Sequence, residues 1–224
     1  MSAGAAIRAA GLTRRFGRRW ALRGVDLEVA RGSVLAVLGA NGTGKTTLLR
    51  VLATLLRPTA GAVEVLGEPL ERGGDLIRRH TALMTPSGHA YEDLTGVENL
   101  RFALRMCGLP VDTDALRGML DAVGLADAAD LPVRSYSTGM RKRLELARLR
   151  LRPLDLVLLD EPFTSLDEDG VGLVQTAIAD WRAAGATVLI ASHGVEAARL
   201  HADGSVTLER GVVVETEPRP LHAP

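Results

Sequence analysis

The chain has 224 residues, 46% of them hydrophobic and only 3% aromatic. That length suits one domain, or one domain with a sizeable insertion, around a core built mostly from Leu, Val and Ala. Its 27 basic and 27 acidic residues cancel, which argues against a nucleic-acid footprint spread over the surface, and its single cysteine excludes an internal disulfide. Cys107, in the apolar stretch 104–107, reads as a small core residue. No apolar run is long enough to span a bilayer, and residues 1–10 lack the apolar segment of a signal peptide. The expectation is a soluble chain that reaches any membrane through a partner.

Residues 6–38 read as short strands joined by turns. Val25, Leu27 and Val29 alternate with Asp26, Glu28 and Ala30, the two-residue period of a half-exposed strand. Upstream lie two aromatics, Phe16 before Gly17 and Trp20 after it. Either could stack on a nucleotide base or pack as an ordinary aromatic, and spacing alone leaves both open. Arg31-Gly32 turns the chain into the apolar strand 34–38, and the run 47–56 has the apolar spacing of a helix.

Between that strand and that helix stands Gly39-Ala40-Asn41-Gly42-Thr43-Gly44-Lys45-Thr46. The context gives weight to the match with G-x-x-x-x-G-K-[ST]. The glycines let backbone N–H groups turn inward as a cradle for phosphate oxygens. The helix starting at Gly44 points its positive dipole end at the same anion. Lys45 reaches the β- and γ-phosphates, and the Thr46 hydroxyl ligates Mg²⁺. The loop predicts a nucleoside triphosphate site.

Further on, Arg57 to Gly61 makes a turn into strand 62–66. Residues 71–79 read as a short helix and 81–84 as a strand, before turn formers break the pattern at 85–89. From about 88 to 150 the pattern is helical. Asp93-Leu94-Thr95 precedes a helix that ends by Gly108. Asp112-Thr113-Asp114 caps the next, which stops at Gly124, and a third runs from near Ser137 to Arg152. The core pattern then resumes with a buried strand ending in Asp160-Glu161, a helix over 169–184 and a buried strand over 187–191. A hairpin over 206–214 and a loosely ordered tail complete it. The reading is an α/β fold with a parallel sheet. Residues 1–87 and 151–215 form the core with an antiparallel β subdomain, 88–150 a helical insertion and 216–224 the tail.

Parallel α/β sheets present ligands at the carboxyl ends of their strands. Asp160 is therefore placed to hold Mg²⁺, and Glu161 to polarise a water for attack on the γ-phosphate. Ser137-Thr138-Gly139-Met140 at a helix start offers a second anion site, or a plain serine N-cap. The basic run 141–143 opposes that helix's dipole and meets phosphate, a partner or solvent. Arg14, Arg15, Arg18 and Arg19 read as a solvated rim, and Asp167-Glu168-Asp169 as a helix cap.

Phosphate loop, helical insertion, Ser-x-Gly at a helix start and Leu-Leu-Asp-Glu-Pro, in this order, resemble the ATP-binding subunit of an ABC transporter over nearly the whole chain. The resemblance implies a P-loop ATPase core. It makes Ser137 to Met140 the signature motif, and Ser165-Leu166-Asp167 the loop that meets a partner subunit. It makes His193 the switch histidine at the γ-phosphate and Phe16 the aromatic that stacks on the base. The implied nucleotide-binding set is Phe16, Gly39, Asn41, Gly42, Gly44, Lys45, Thr46, Thr47, Ser137 and Gly139. Glu161, His193 and Lys45 are the catalytic set, and Thr46, Asp160 and Ser87 the Mg²⁺ set. Two copies would sandwich two ATP molecules, and transmembrane permease subunits at the cytoplasmic face of the inner membrane would receive the motion; no nucleic-acid partner is expected. Ser87 stands where the family usually has glutamine, with His89 nearby as a substitute or a plain surface histidine. Thr138 and Met140 stand where glycine and glutamine are commonest.

Within the family, Glu161 to Asp167 with Gly170-Val171, and Ala147 to Leu151, resemble the haem-exporter ATPase of cytochrome c maturation. The signature is similar to that of drug and polysaccharide exporters. A DNA-repair or translation ATPase of this family usually carries a second cassette, a coiled coil or zinc sites, none of which this sequence shows. A non-hydrolysing clamp is opposed by Glu161.

Overall fold

The computed structural model describes residues 4–86, 88–193 and 202–218. The chain divides into two compact units. The first comprises Met1–Leu83, Leu154–Glu161 and Ile178–Pro224; the second comprises Met84–Pro153 and Pro162–Ala177.

In the first unit, β1 (Ala5–Phe16) and β2 (Arg19–Ala30) form a long antiparallel pair. They are not the short strands that the sequence suggests. Bulges keep two 12-residue strands paired while breaking their alternation. At one of these irregularities the Gly11 N–H donates to Asp26 Oδ1 at 2.7 Å. With β4 (Ala60–Val65) and β5 (Glu68–Pro69), these strands make a sheet of order β2-β1-β4-β5.

The larger sheet has β3 (Val34–Leu38), β6 (Thr81–Met84), β7 (Leu156–Asp160), β8 (Thr187–Ser192), β9 (Gly204–Glu209) and β10 (Val212–Pro218). Its order is β10-β9-β3-β8-β7-β6. β3 runs parallel to both β8 and β9, and β7 parallel to β8. β7 and β8 are buried along their whole length, which explains their unbroken apolar runs. The loosely ordered tail expected over 216–224 is corrected at its start. β10 continues to Pro218, pairing Glu215, Thr216 and Glu217 with Thr207, Val206 and Ser205. The backbone ladder carries these polar residues into the sheet, with proline only at the last paired position.

Between strands run α1 (Lys45–Leu52) and α2 (Gly74–His80). Leu48, Leu49, Val51 and Leu52 of α1 are fully buried, joining Val37, Leu158, Leu189 and Leu208 in one core.

The second unit holds α3 (Gly96–Met106), α4 (Thr113–Ala122) and α5 (Thr138–Arg150). Thr95 and Glu98 close a reciprocal capping box at the start of α3, and Asp112 caps α4. Val97, Leu100, Leu104, Leu116, Leu120 and Leu144 build a core separate from the first. Cys107 is exposed, contrary to expectation, because it is the C-cap of α3, where the apolar face has ended. The chain enters α6 (Glu168–Ala183), whose Val174, Ile178 and Trp181 are buried, and Gly185 follows its end. Among the described residues, no helix is long and apolar enough to cross a membrane.

Candidate active site

The strand order fixes where the chemistry can gather. β3, β8 and β7 lie side by side and parallel, with Leu38 level with Ser192 and Ala191 level with Asp160. The phosphate loop leaves β3, Glu161 follows β7 and His193 follows β8. All three therefore leave the carboxyl edge of one sheet.

The loop depends on glycine at two tight places. Gly39 has φ 144°, and a Cβ there would fall 2.3 Å from the Leu208 carbonyl oxygen. Gly44, the N-cap of α1, has φ 117°, and its Cβ would fall 2.6 Å from the Ala21 carbonyl oxygen. No side chain caps α1 and its first turn carries no acidic residue. Its leading N–H groups and dipole therefore face the loop without a carboxylate of the helix's own first turn.

Lys45 is buried, and its ammonium folds across the loop to the carbonyls of Gly39 at 2.6 Å and Ala40 at 3.2 Å. The same nitrogen lies 3.5 Å from Glu161 Oε1, while Glu161 Oε2 lies 2.8 Å from His193 Nδ1. Glu161 itself adopts φ 49°, an uncommon conformation for a residue with a side chain. Strained backbone of this kind is met at functional sites, where the surroundings hold it. The three candidate catalytic residues thus form one connected chain.

Asp160 is 2% exposed. Burial pushes its carboxyl above the usual carboxylate range, and the Glu161 charge adds to this; a hydrogen bond with Thr46 and the charges of Lys45 and Arg50 oppose it. Its Oδ1 is buried with no hydrogen-bond partner among the described residues. A buried acceptor oxygen without a donor, bonded through its residue to the Thr46 hydroxyl, suits a hard cation. Ser87, the third oxygen donor expected from the sequence, lies outside the described residues.

Phe16 ends β1 and is 45% exposed, with the Arg14 guanidinium 4.5 Å from its ring centre; Trp20 pairs in the same way with Arg15. Asn41 and Gly42 are exposed, and Thr47 is half-buried in the first turn of α1. Arg19, read as part of a solvated rim, carries a guanidinium nitrogen 3.7 Å from where a Cβ on Gly42 would stand. Its sequence signal, one arginine among four, could not show this.

In the second unit Ser137 is the N-cap of α5, and its Oγ accepts the Met140 N–H at 3.2 Å. Gly139 lies in the first turn, where a Cβ would be in ordinary contact, 3.5 Å from the Ser165 carbonyl oxygen. A cavity of about 380 Å³ opens beside Ser137 and Thr138 and is also lined by Lys142 and Glu145. Met140 is partly buried against the helical core. His89 Nδ1 lies 3.5 Å from the buried Glu145. The basic run is not a solvated turn. Arg141 pairs with Glu92, Lys142 donates to the Thr164 carbonyl and Arg143 pairs with both oxygens of Asp167. Tertiary acceptors outweigh the unfavourable helix dipole. Asp167 also caps α6, accepting the Gly170 N–H at 2.8 Å.

The ABC transporter family model matches residues 22–164. The cytochrome c biogenesis ATP-binding export protein CcmA of Cupriavidus necator is 41% identical over 172 residues, covering 77% of this chain and 76% of that protein. The daunorubicin resistance ATP-binding protein DrrA3 of Streptomyces coeruleorubidus is 39% identical over 211 residues, covering 93% and 67%. A dimeric ATP-binding cassette solved in a post-hydrolysis state with ADP and Pi superposes with a TM-score of 0.87. That match covers 96% of this chain and 100% of the other at 22% identity, and speaks to the fold alone.

Proposed function

We propose, from the premise that this chain belongs to the ABC transporter family as an ATP-binding and ATP-hydrolysing subunit, that it drives a membrane complex handling haem in cytochrome c maturation. The observation that carries the catalytic reading is the Lys45–Glu161–His193 chain next to the buried Asp160 oxygen that has no hydrogen-bond partner among the described residues.

Lys45 has its ammonium on two loop carbonyls and near Glu161. An entering triphosphate offers stronger, charged acceptors, so the ammonium moves to the β- and γ-phosphates. The N–H groups of the Gly39–Thr46 loop and the start of α1, with Thr47, hold the remaining oxygens, and Phe16 stacks on the base. Glu161, released from Lys45, orients a water through its carboxylate and accepts its proton. The water oxygen bonds to the γ-phosphorus as the bridge to the β-phosphate breaks, leaving ADP and phosphate. His193 holds Glu161 through Oε2 and would contact the γ-phosphate from there. Thr46 and Asp160 are the residues that would hold Mg²⁺, with Ser87 as the further donor. When bound, that ion neutralises charge on the phosphate oxygens.

Ser137 and Gly139 complete the site on a second copy of the chain. The Ser137 hydroxyl keeps its hydrogen for a γ-phosphate, so the contact exists only before hydrolysis. That difference lets ATP close the dimer and its hydrolysis reopen it. Permease subunits at the cytoplasmic face of the membrane would receive the motion.

The haem assignment rests on the relative 41% identical and on residues Glu161 to Asp167. Deleting the gene is expected to abolish covalent haem staining of c-type cytochromes. Intact staining with new sensitivity to an exported drug would instead favour the second reading, a drug exporter, which the Thr138-Gly139-Met140 signature and the relative spanning 93% of the chain support.

A further inference from the structure

Within the helical unit, two cations of α5 reach the exposed loop that precedes α6. Lys142 is only 5% exposed, and its ammonium donates to the Thr164 carbonyl. A buried ammonium cannot forgo its acceptors, so this bond fixes the backbone of the loop. One residue on, Arg143 grips both Asp167 oxygens, at 2.7 and 3.0 Å. The planar guanidinium fork sets orientation as well as distance. Asp167 in turn accepts the Gly170 N–H at 2.8 Å, tying the loop to the start of α6. Ser165, between the two grips, has φ 63°, and its carbonyl oxygen faces Gly139. The side chains of Thr164 and Ser165 are exposed, so the loop is held from within by its Thr164 carbonyl and its Asp167 carboxylate and presents Thr164 and Ser165 outward.

We propose that Lys142, assisted by Arg143, is a positioning residue for ATP-driven dimer closure. It locks the loop 164–167 to the Ser137–Gly139 end of α5, so that two surfaces offered to a second copy of the chain form one rigid piece. The proposal rests on the ATP-sandwich reading above. Lys142 acts by sparing the dimer the entropy of ordering a loop at the moment of closure. The basic run is therefore an internal fastening, which explains why two cations sit at a helix start that its dipole disfavours.

The test uses the full chain in a Glu161→Gln background, with dimer content read by gel filtration against ATP concentration. Monomer affinity is read separately with a fluorescent ATP analogue, and folding by melting temperature. Lys142→Met is expected to weaken ATP-dependent dimerisation about tenfold, the scale of one charge-assisted hydrogen bond, with monomer nucleotide affinity unchanged. A purely structural role would lower melting temperature, affinity and dimerisation together. Arg143→Gln, which releases Asp167 while leaving every side chain of the loop in place, is expected to shift dimerisation the same way by about threefold and serves if Lys142→Met does not fold. Dimerisation equal to the Glu161→Gln parent in a folded variant overturns the proposal. A Glu161→Gln parent that stays monomeric with ATP bound overturns the sandwich reading itself, and the fastening role with it.

Discussion

Replacing Gly39 with alanine tests the phosphate loop's geometry. The new Cβ would fall 2.3 Å from the Leu208 carbonyl oxygen, 3.3 Å from its carbon and 2.8 Å from Thr43 Oγ1. The backbone oxygen cannot rotate away, because β9, which carries Leu208, is paired to β3 with Thr207 level with Leu38. Relief requires the loop to move away from β9. A φ of 144° lies where residues with a side chain rarely go and adds roughly 1–3 kcal/mol, and overpacking adds about 1–3 kcal/mol. The expected loss is about 2–6 kcal/mol. Gly118→Ala is the control. It lies inside α4 with nothing within 4 Å of its Cβ position, so alanine there should stabilise by roughly 0.5–1 kcal/mol. Urea denaturation of both variants without nucleotide gives the stabilities, and an ATP titration gives the affinities. Gly39→Ala is expected to be destabilised and to bind ATP at least about tenfold more weakly, since a shift near 1 Å breaks several loop contacts at once. Wild-type stability and wild-type affinity in Gly39→Ala would refute the reasoning.

Lys45→Ala would remove the two charge-assisted contacts to phosphate proposed above, worth roughly 1.5–3 kcal/mol each, so ATP affinity is expected to fall at least about a hundredfold; unchanged affinity would reject the loop assignment. Asp160→Asn is expected to stop Mg²⁺-dependent hydrolysis and to alter the nucleotide-free chain in a pH-dependent way. The native Asp160 carboxyl is raised by burial, so its contribution to stability is complete below the ordinary carboxylate range and is lost as pH rises through the raised value. The variant should thus gain on the wild type from pH 4 to pH 8 in urea unfolding, whereas a constant difference would contradict the burial argument.

The Gly39–Thr46 loop was legible as a tight strand-to-helix turn because its residue types have few other uses in that order between a buried strand and a helix. The place of Asp160 and Glu161 was legible too, since an acidic pair ending an apolar strand must lie at the sheet's carboxyl edge. The N-caps Thr95, Asp112 and Ser137 are local signals, and each lies at a helix start. What escaped depends on distant partners. Lys142 looks like any surface lysine until Thr164, 22 residues away, supplies its acceptor. Cys107 sits in an apolar run, yet the end of α3 turns it outward. Bulges hid the length of β1 and β2, because each irregularity resets the two-residue alternation that marks a strand. The polar start of the tail gave no sign that β9 would pair with it as far as Pro218. The Lys45–Glu161–His193 contacts follow from strand order, which no single segment encodes.

The central claim, that Glu161 turns nucleotide binding into hydrolysis, is tested most directly by phosphate release from MgATP by the wild type and by Glu161→Gln. Loss of a positioned general base is expected to slow release by roughly 10²–10⁴-fold with ATP still bound. Equal release rates in the two proteins would contradict it.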